Sequence, residues 1–294
     1  MNSRVYYCGR ILAAALILSL VPMACGTNIQ SVVTNIETGP IQTVDIRVPL
    51  PEESSTSVEL NLEFIVGDLK LSPGASDHLA SGTATFNAVD FEPKITVNGT
   101  ATTVSQGKLK VGDIPVFQDD FKNQWDLQLA NTPMSLNINT GPYSGNLELG
   151  GLSLQKLVIS EVGSSVNIAF STLNQVEMSS FTYNTGGSTM VLKGLANANF
   201  EEMKFNAGAG DYTLSFDGEL QRDASVTIDA GVSTVNIIVP SGTNAKVSFD
   251  GGLSSVNPEG GWAQVGDVYT LSGSGPTITI TVKMGVGTLN LKTE

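Results

Sequence analysis

The sequence predicts an all-β protein in which an N-terminal β domain is followed by a single-stranded β-solenoid (a β-helix) with rungs of about 22 residues. Two observations carry this prediction. The gaps between recurring glycines are 22, 23, 22, 23 and 21 residues, at Gly141, Gly163, Gly186, Gly208, Gly231 and Gly252. Short runs of alternating apolar residues flank these glycines, as in strands that meet at a tight turn. The composition agrees, since only 15% of residues are charged and Gly, Ser, Thr and Asn are abundant.

The first 24 residues are predicted to be a signal peptide. Arg4 and Arg10 form a positive segment, and residues 11–21 form an apolar stretch that is short for a membrane-spanning helix. Cys25 follows Ala24, and this arrangement resembles the lipobox of bacterial lipoproteins, although Pro22 stands where that motif favours Leu. We therefore predict lipid attachment at Cys25; cleavage without lipidation and an uncleaved anchor are the alternatives.

Cysteine content and charge limit the partners of the protein. Besides Cys25 the chain has only Cys8, inside the predicted signal peptide, so the remainder cannot form a disulfide or a thiolate metal site. The formal net charge of −13 argues against nucleic acid and against direct binding to anionic lipid head groups. We therefore expect attachment to a membrane through the lipid anchor, with residues 25–41 as a linker.

Residues 42–128 are predicted to form the N-terminal β domain. Residues 42–50 and 58–71 alternate between apolar and polar side chains, and Gly67 interrupts the second run. Asn98-Gly99 lies between two β-prone runs, which is typical of a hairpin turn that needs positive φ angles. Residues 119–127 fit either a short helix or a strand that begins near Trp125.

Residues 129–294 are predicted to form the solenoid, with each unit a strand, a glycine turn, a second strand and a return segment. A polar residue lies two positions before each glycine, at Asn139, Glu161, Asn184, Asn206, Asp229 and Asp250. Stacked carboxylates of Asp229 and Asp250 would suit Ca²⁺. The alternative is a ladder of Asn and Asp side chains that closes the turns. The sequence favours this ladder, because the repeats lack the glycine-and-aspartate nonapeptides of calcium-binding solenoids.

Trp262 lies in an insertion before Gly285, and two roles are open to it. It could cap the end of the solenoid, which is the interpretation we favour because an open stack exposes strand edges, or it could be an exposed contact point.

No motif of catalysis is recognised in the sequence. The single histidine, His78, follows Asp77 directly, and adjacent side chains do not orient each other as a catalytic triad requires. Phosphate-binding loops, nucleophile elbows and histidine-based metal motifs are also absent. A glycosidase-like pair of carboxylates, drawn from distant positions, is the remaining catalytic alternative. We expect a protein that is not an enzyme and that has no cofactor and no metal.

Several segments are similar to a known family. Asn123-Gln-Trp-Asp-Leu and residues 136–141, 149–154, 192–200 and 205–210 resemble the "toast rack" family of bacterial envelope proteins. Residues 226–240 are similar to the C-terminal β-solenoid of cell-wall-active antibiotic response proteins and to adhesin-like domains. The resemblance covers residues 42–294 and implies the two-part β architecture, but it brings no active-site residues.

Three functions follow as hypotheses. The first is a lipid-anchored, extracytoplasmic structural or interaction module of the cell envelope, adhesin-like, with a protein or a cell-wall polymer as partner. The second is a modulator of envelope-stress signalling, although the relatives with that role usually carry membrane helices. The third is a polysaccharide-binding or carbohydrate-active protein.

Overall fold

The structure is a computed structural model that describes residues 33–51, 58–107, 114–116 and 120–294. The described residues contain twenty strands, two short 3-10 turns at Val89–Phe91 and Leu195–Ala198, and no α-helix. The all-β prediction is therefore confirmed for this part of the chain. Cys25 and the predicted signal peptide lie outside the described residues.

The strands are numbered in chain order. They are β1 (Val33–Asn35), β2 (Gln42–Val48), β3 (Val58–Phe64), β4 (Gly67–Ala75), β5 (Ala80–Phe86), β6 (Pro93–Asn98), β7 (Ala101–Gln106), β8 (Ile114–Val116), β9 (Asn123–Ala130), β10 (Met134–Thr140), β11 (Tyr143–Glu148), β12 (Leu154–Glu161), β13 (Ser164–Ala169), β14 (Met178–Lys193), β15 (Phe200–Ser215), β16 (Ala224–Val239), β17 (Thr243–Pro258), β18 (Ala263–Val265), β19 (Val268–Leu271) and β20 (Ser274–Thr293).

These strands are divided between two compact units. In the smaller unit, β1 pairs with β8 in parallel. The larger unit comprises Ile36–Lys108 and Phe117–Glu294 and holds the other strands.

Two ladders of mostly parallel strands build the larger unit. The first ladder runs in the order β6, β7, β3, β10, β12, β14, β15, β16, β20 and β17. The second starts with β2, β5, β9, β4, β11 and β13 and then joins β14. From β14 onwards, the first half of each long strand pairs within the first ladder and the second half pairs within the second ladder. A glycine lies between the two halves.

Neighbouring strands in the repeats pair at a spacing close to the glycine period. Tyr183 is the partner of Phe205, and Phe205 is the partner of Ile228, so that successive partners are 22 and 23 residues apart. Strands also pair across the predicted domain boundary at residue 128, because β3 pairs with β10 and β4 with β11. The N-terminal strands and the repeats thus share continuous ladders.

The strands at the C-terminal end do not stack in chain order. β20 pairs with β16 on one side and with β17 on the other, so the last strand lies between two strands that precede it. β19 then pairs antiparallel with the first half of β17, and β18 pairs with β19.

Alternation along each strand places the core between the two ladders. Tyr183, Phe205 and Tyr212 are fully buried there; the rings of Tyr183 and Phe205 stack at a centroid distance of 5.6 Å, and Tyr212 meets Phe205 edge-on at 5.2 Å. The predicted hairpin is confirmed, since β6 and β7 pair antiparallel, but its turn is Gly99-Thr100 and not Asn98-Gly99: Asn98 is the last residue of β6 and pairs with Ala101, and only Gly99 has a positive φ, of 61°. The segment near Trp125 is strand β9, and the Trp125 ring is buried against Phe64.

Candidate binding surface

A cleft lies on the outer face of the second ladder. Five adjacent strands form it (β5, β9, β4, β11 and β13), and its volume is about 510 Å³. Because side chains alternate along a strand, the residues that face this cleft are the short polar ones between the core residues. These residues are Asp68, Lys70, Thr83, Thr85, Gln124, Asp126, Ser144, Asn146, Ser165 and Asn167.

Cross-strand contacts order the polar side chains of the cleft. Lys70 Nζ lies 2.8 Å from Asp126 Oδ2, and Gln124 Nε2 donates to Asp68 Oδ2 at 2.9 Å. Lys70 and Asp126 are each more than half exposed, so this ion pair adds little to stability but fixes the direction of both groups. The cleft thus presents an array of hydrogen-bond donors and acceptors, made up of amides, hydroxyls, two carboxylates and one ammonium group. Such an array suits a ligand rich in hydroxyl groups.

The predicted pair of aspartates is separated in the structure. Asp229 and Asp250 are both partners of Lys283, which lies between them in the ladder. These three residues line a shallow groove of about 420 Å³ beside the glycine turns. The stacked carboxylates on which the Ca²⁺ hypothesis depended are therefore not formed, because β20 places Lys283 between the two aspartates in the ladder.

The alternative ladder of polar side chains is present in the middle of the stack. Asn206 Nδ2 donates to Asn184 Oδ1 at 2.8 Å, and Asn184 Nδ2 donates to Ser160 Oγ at 3.2 Å. A second ladder runs on the other side of the turns, where Asn257 donates to Asn290 and Asn290 donates to Asn236. Glu161 departs from the predicted column, because it pairs with Thr185 and its side chain is buried.

Sequence comparison identifies the region that carries the cleft. Residues 37–180 match the family described as the N-terminal domain of toast_rack, DUF2154. The chain contains a toast-rack N-terminal domain. Every residue of the polar cleft falls within this domain, and the resemblance inferred from the sequence is confirmed for it.

Solved structures from several bacteria align with most of the chain at low similarity. A candidate cell adhesion protein from Clostridium sporogenes is 20% identical, with a TM-score of 0.48 over 87% of this chain and 100% of its own. A candidate adhesin from Bacteroides fragilis is 12% identical, with a TM-score of 0.41 over 88% and 99% of the two chains. A candidate lipid-binding protein from Parabacteroides distasonis gives the same identity, score and coverage. No functional assignment follows from similarity at this level. No curated protein matches the chain significantly.

A buried polar cluster lies where the toast-rack domain meets the following repeats. Ser188 Oγ donates to Glu161 Oε1 at 2.6 Å, and Ser188 and Thr185 share a hydrogen bond of 2.5 Å. Burial raises the pKa of Tyr183 far above its usual value, and the neighbouring Tyr143 and Glu161 raise it further. This cluster holds its tyrosines in the neutral form and belongs to the core.

The remaining residues singled out in the sequence lie outside these surfaces. His78 is half-buried in the loop between β4 and β5. Trp262 is half-buried in the segment that leads from β17 to the β18–β19 hairpin, which covers the first half of β17. Within the described ranges, no three His, Cys, Asp or Glu side chains come together to hold a metal ion.

The described part of the chain includes no helix that is long and apolar enough to cross a membrane.

The cleft itself was not identified from the sequence. Alternation shows which residues of one strand face outward, but the spatial proximity of β5, β9, β4, β11 and β13 depends on non-local pairing.

Proposed function

We propose that this protein is a non-enzymatic, lipid-anchored interaction module on the extracytoplasmic side of a bacterial envelope, adhesin-like in its role. The polar cleft of the toast-rack domain is its binding surface. The ligand is a hydroxyl-rich polymer of the kind found in cell walls. The anchor is the lipid on Cys25, which follows a signal peptide of residues 1–24 and precedes the linker of residues 25–41.

The polar array across five strands is the observation that carries this proposal. A strand face that only needed solubility could carry lysine and glutamate at any position. Here most outward positions hold short Thr, Ser, Asn and Asp side chains, with one glutamine bonded to Asp68 and one lysine held by Asp126. Short side chains lose little conformational entropy when they bind, and the paired strands beneath them keep their spacing fixed.

The finer architecture is part of the proposal. We infer that residues 129–294 form a β-solenoid with rungs of about 22 residues, in which each rung bends at a glycine. The 22- and 23-residue spacing of partners in β14, β15 and β16 supports this interpretation.

Binding to purified envelope polysaccharides tests the cleft. The full chain in detergent is applied to a glycan array and then titrated by calorimetry with the polymers that bind. Gln124→Ala removes a cleft amide that contacts Asp68, and we expect it to weaken binding about tenfold, by the net value of one or two hydrogen bonds. Gln221→Ala is the matched control, because Gln221 is exposed in a loop far along the chain and contacts the Glu219 carbonyl.

The result can also go against the proposal. Wild-type protein that binds no glycan above an unrelated acidic protein would remove the polymer as ligand. Equal weakening by Gln124→Ala and Gln221→Ala would move the binding surface away from the cleft. A pull-down from envelope extract, read with both variants, would then show whether a protein partner uses another face.

A further inference from the structure

The outer edge of β17 is only half covered. β19 pairs with Ala245–Ser248, and the amide of Phe249 donates to the Asp267 carbonyl. Beyond that point, β17 continues to Pro258 with β20 on one side and no described strand on the other. Residues 252–258 therefore form an open strand edge at the C-terminal end of the second ladder.

We propose that this edge pairs antiparallel with the same edge of a second copy of the chain, across a two-fold axis at Ser255. The result is a closed dimer in which both open edges are used. This inference is independent of the proposed polymer ligand, since the cleft lies on other strands.

Backbone directions fit such a pairing. The amide of Glu259 donates to the Leu291 carbonyl on β20. Amide groups alternate in direction along a strand, so those of Val256 and Ser254 point to the open edge and that of Ser255 points to β20. With the axis at Ser255, Ser254 of one copy faces Val256 of the other as a hydrogen-bonded pair, and the two Ser255 residues face each other as a close, non-hydrogen-bonded pair.

Side-chain directions agree with the same register. Leu253, Ser255 and Asn257 are exposed on the outer face, whereas Ser254 and Val256 point inward and are half-buried. Residues that oppose each other in an antiparallel pair share a face, and an axis at Ser255 satisfies this for every pair from 253 to 257. Val256 also aligns with Leu289 of β20, which is fully buried, so the last layer of the core is left partly uncovered.

Most of the edge lacks the features that normally prevent pairing. Proteins protect open edges with charges, prolines or covering segments. Residues 252–257 carry no charge, Leu253 is 83% exposed, and the proline of the edge, Pro258, stands at its last position. At the opposite end of the stack, by contrast, edge strand β2 carries the Asp45–Arg47 ion pair, and edge strand β6 begins with Pro93.

A second copy suits the edge better than a head-to-tail contact. In the self-paired register no charged residue faces a like charge, because Glu259 of one copy comes opposite Gly251 of the other. A head-to-tail stack would instead place the charged β2 against this edge and would grow into an open polymer. The dimer closes, since the two copies bury the same edge against each other.

Light scattering, combined with absorbance and refractive index, measures the mass of the full chain in detergent. This mass tests the proposal. We expect a concentration-dependent dimer for the wild type and its loss in Ser255→Asp, which sets two carboxylates against each other at the axis. Ser225→Asp is the matched control, because Ser225 is an exposed strand serine on β16, away from the edge, and this variant should remain dimeric. Added salt should strengthen the dimer, because each copy has a net charge of −13.

Cross-linking tests the register. Ser255→Cys should form a disulfide between copies under mild oxidation, since a non-hydrogen-bonded pair brings the two Cβ atoms into range, whereas Ser225→Cys should not. A monomer up to millimolar concentration, an open-ended polymer, or a dimer that Ser255→Asp leaves intact would each overturn the proposal. Equal cross-linking of the two cysteine variants would overturn the register.

Discussion

Asp250 pairs with Lys283, and not with Asp229, in the parallel ladder between β17 and β20. Lys283 is also the partner of Asp229 on the other side, so a cation supplied by the chain occupies the middle of an acidic row. This arrangement separates two carboxylates that the glycine period alone would stack.

The first prediction concerns that lysine. Lys283→Glu would create a row of three neighbouring carboxylates and should lower the free energy of unfolding by about 1 kcal/mol through like-charge repulsion. Millimolar Ca²⁺ should recover the loss in the variant and leave the wild type unchanged. Thermal melts with Ca²⁺ or with EDTA measure both effects.

Lys204→Glu is its control. Lys204 is an exposed strand lysine whose ladder partners are Thr182 and Thr227, so its reversal creates no carboxylate row. A Ca²⁺ response in this control, or in the wild type, would contradict the interpretation.

The second prediction concerns the glycine turns. A Cβ atom at Gly208 would lie 2.0 Å from the Gly186 carbonyl oxygen of the neighbouring rung, whereas at Gly163 it would lie 3.3 Å from the carbonyl oxygen of Gly187. Gly208→Ala should therefore cost about 1–3 kcal/mol, because the rungs must move apart, and Gly163→Ala should cost much less. Urea unfolding of the two variants compares these costs, and equal losses would mean that close approach does not explain the glycine period.

The third prediction concerns alkaline pH. Burial raises the pKa of Tyr212 to about 12, and raises those of Tyr143 and Tyr183 further. A group with a raised folded pKa contributes stability that is complete below its unfolded pKa, near 10, and that is lost as the pH rises through the folded value. Unfolding free energy should thus fall steeply above pH 10, where the unfolded chain releases these protons.

Tyrosinate absorbance, followed together with circular dichroism, checks this order of events. Tyr143, Tyr183 and Tyr212 should ionise only as the strand signal disappears. Ionisation of all tyrosines near pH 10 in a protein that keeps its fold would show that the cluster is accessible to water.

The fourth prediction concerns the lipid. A palmitate analogue should label the wild-type chain in cells and should not label Cys25→Ser, because Cys25 is the predicted site of lipid attachment. Cys8→Ser is the control and should be labelled like the wild type, since Cys8 lies inside the predicted signal peptide. Equal labelling of wild type and Cys25→Ser would rule out this anchor.

Local sequence signals predicted a large part of the fold. Asn98-Gly99 identified the β6–β7 hairpin to within one residue, because the turn requires a positive φ angle at Gly99. The alternation in residues 58–64 identified the inward face of β3, whose Val58, Leu60, Leu62 and Phe64 are buried. Each of these signals depends on residues a few positions apart, so the sequence displays it directly.

The polar surfaces were predicted less well, because they depend on contacts between distant segments. Asn146 and Asn167 have the same outward pattern as many other residues, and only the pairing of β11 with β13 brings them to one cleft. Lys283 gave no signal of its own, since nothing in its neighbourhood distinguishes it from a solvated lysine.

By itself, the sequence determined that the chain forms strands, where the strands turn and which side chains face the core, because periodicity and turn chemistry are local. The tertiary structure decided the order of the rungs. Every rung offers the same alternating apolar face, so β16 could pair with β17 or with β20 without violating any local rule. The observed insertion of β20 between them is a long-range choice, and it decides both that Lys283 separates Asp229 from Asp250 and that the edge of β17 stays open.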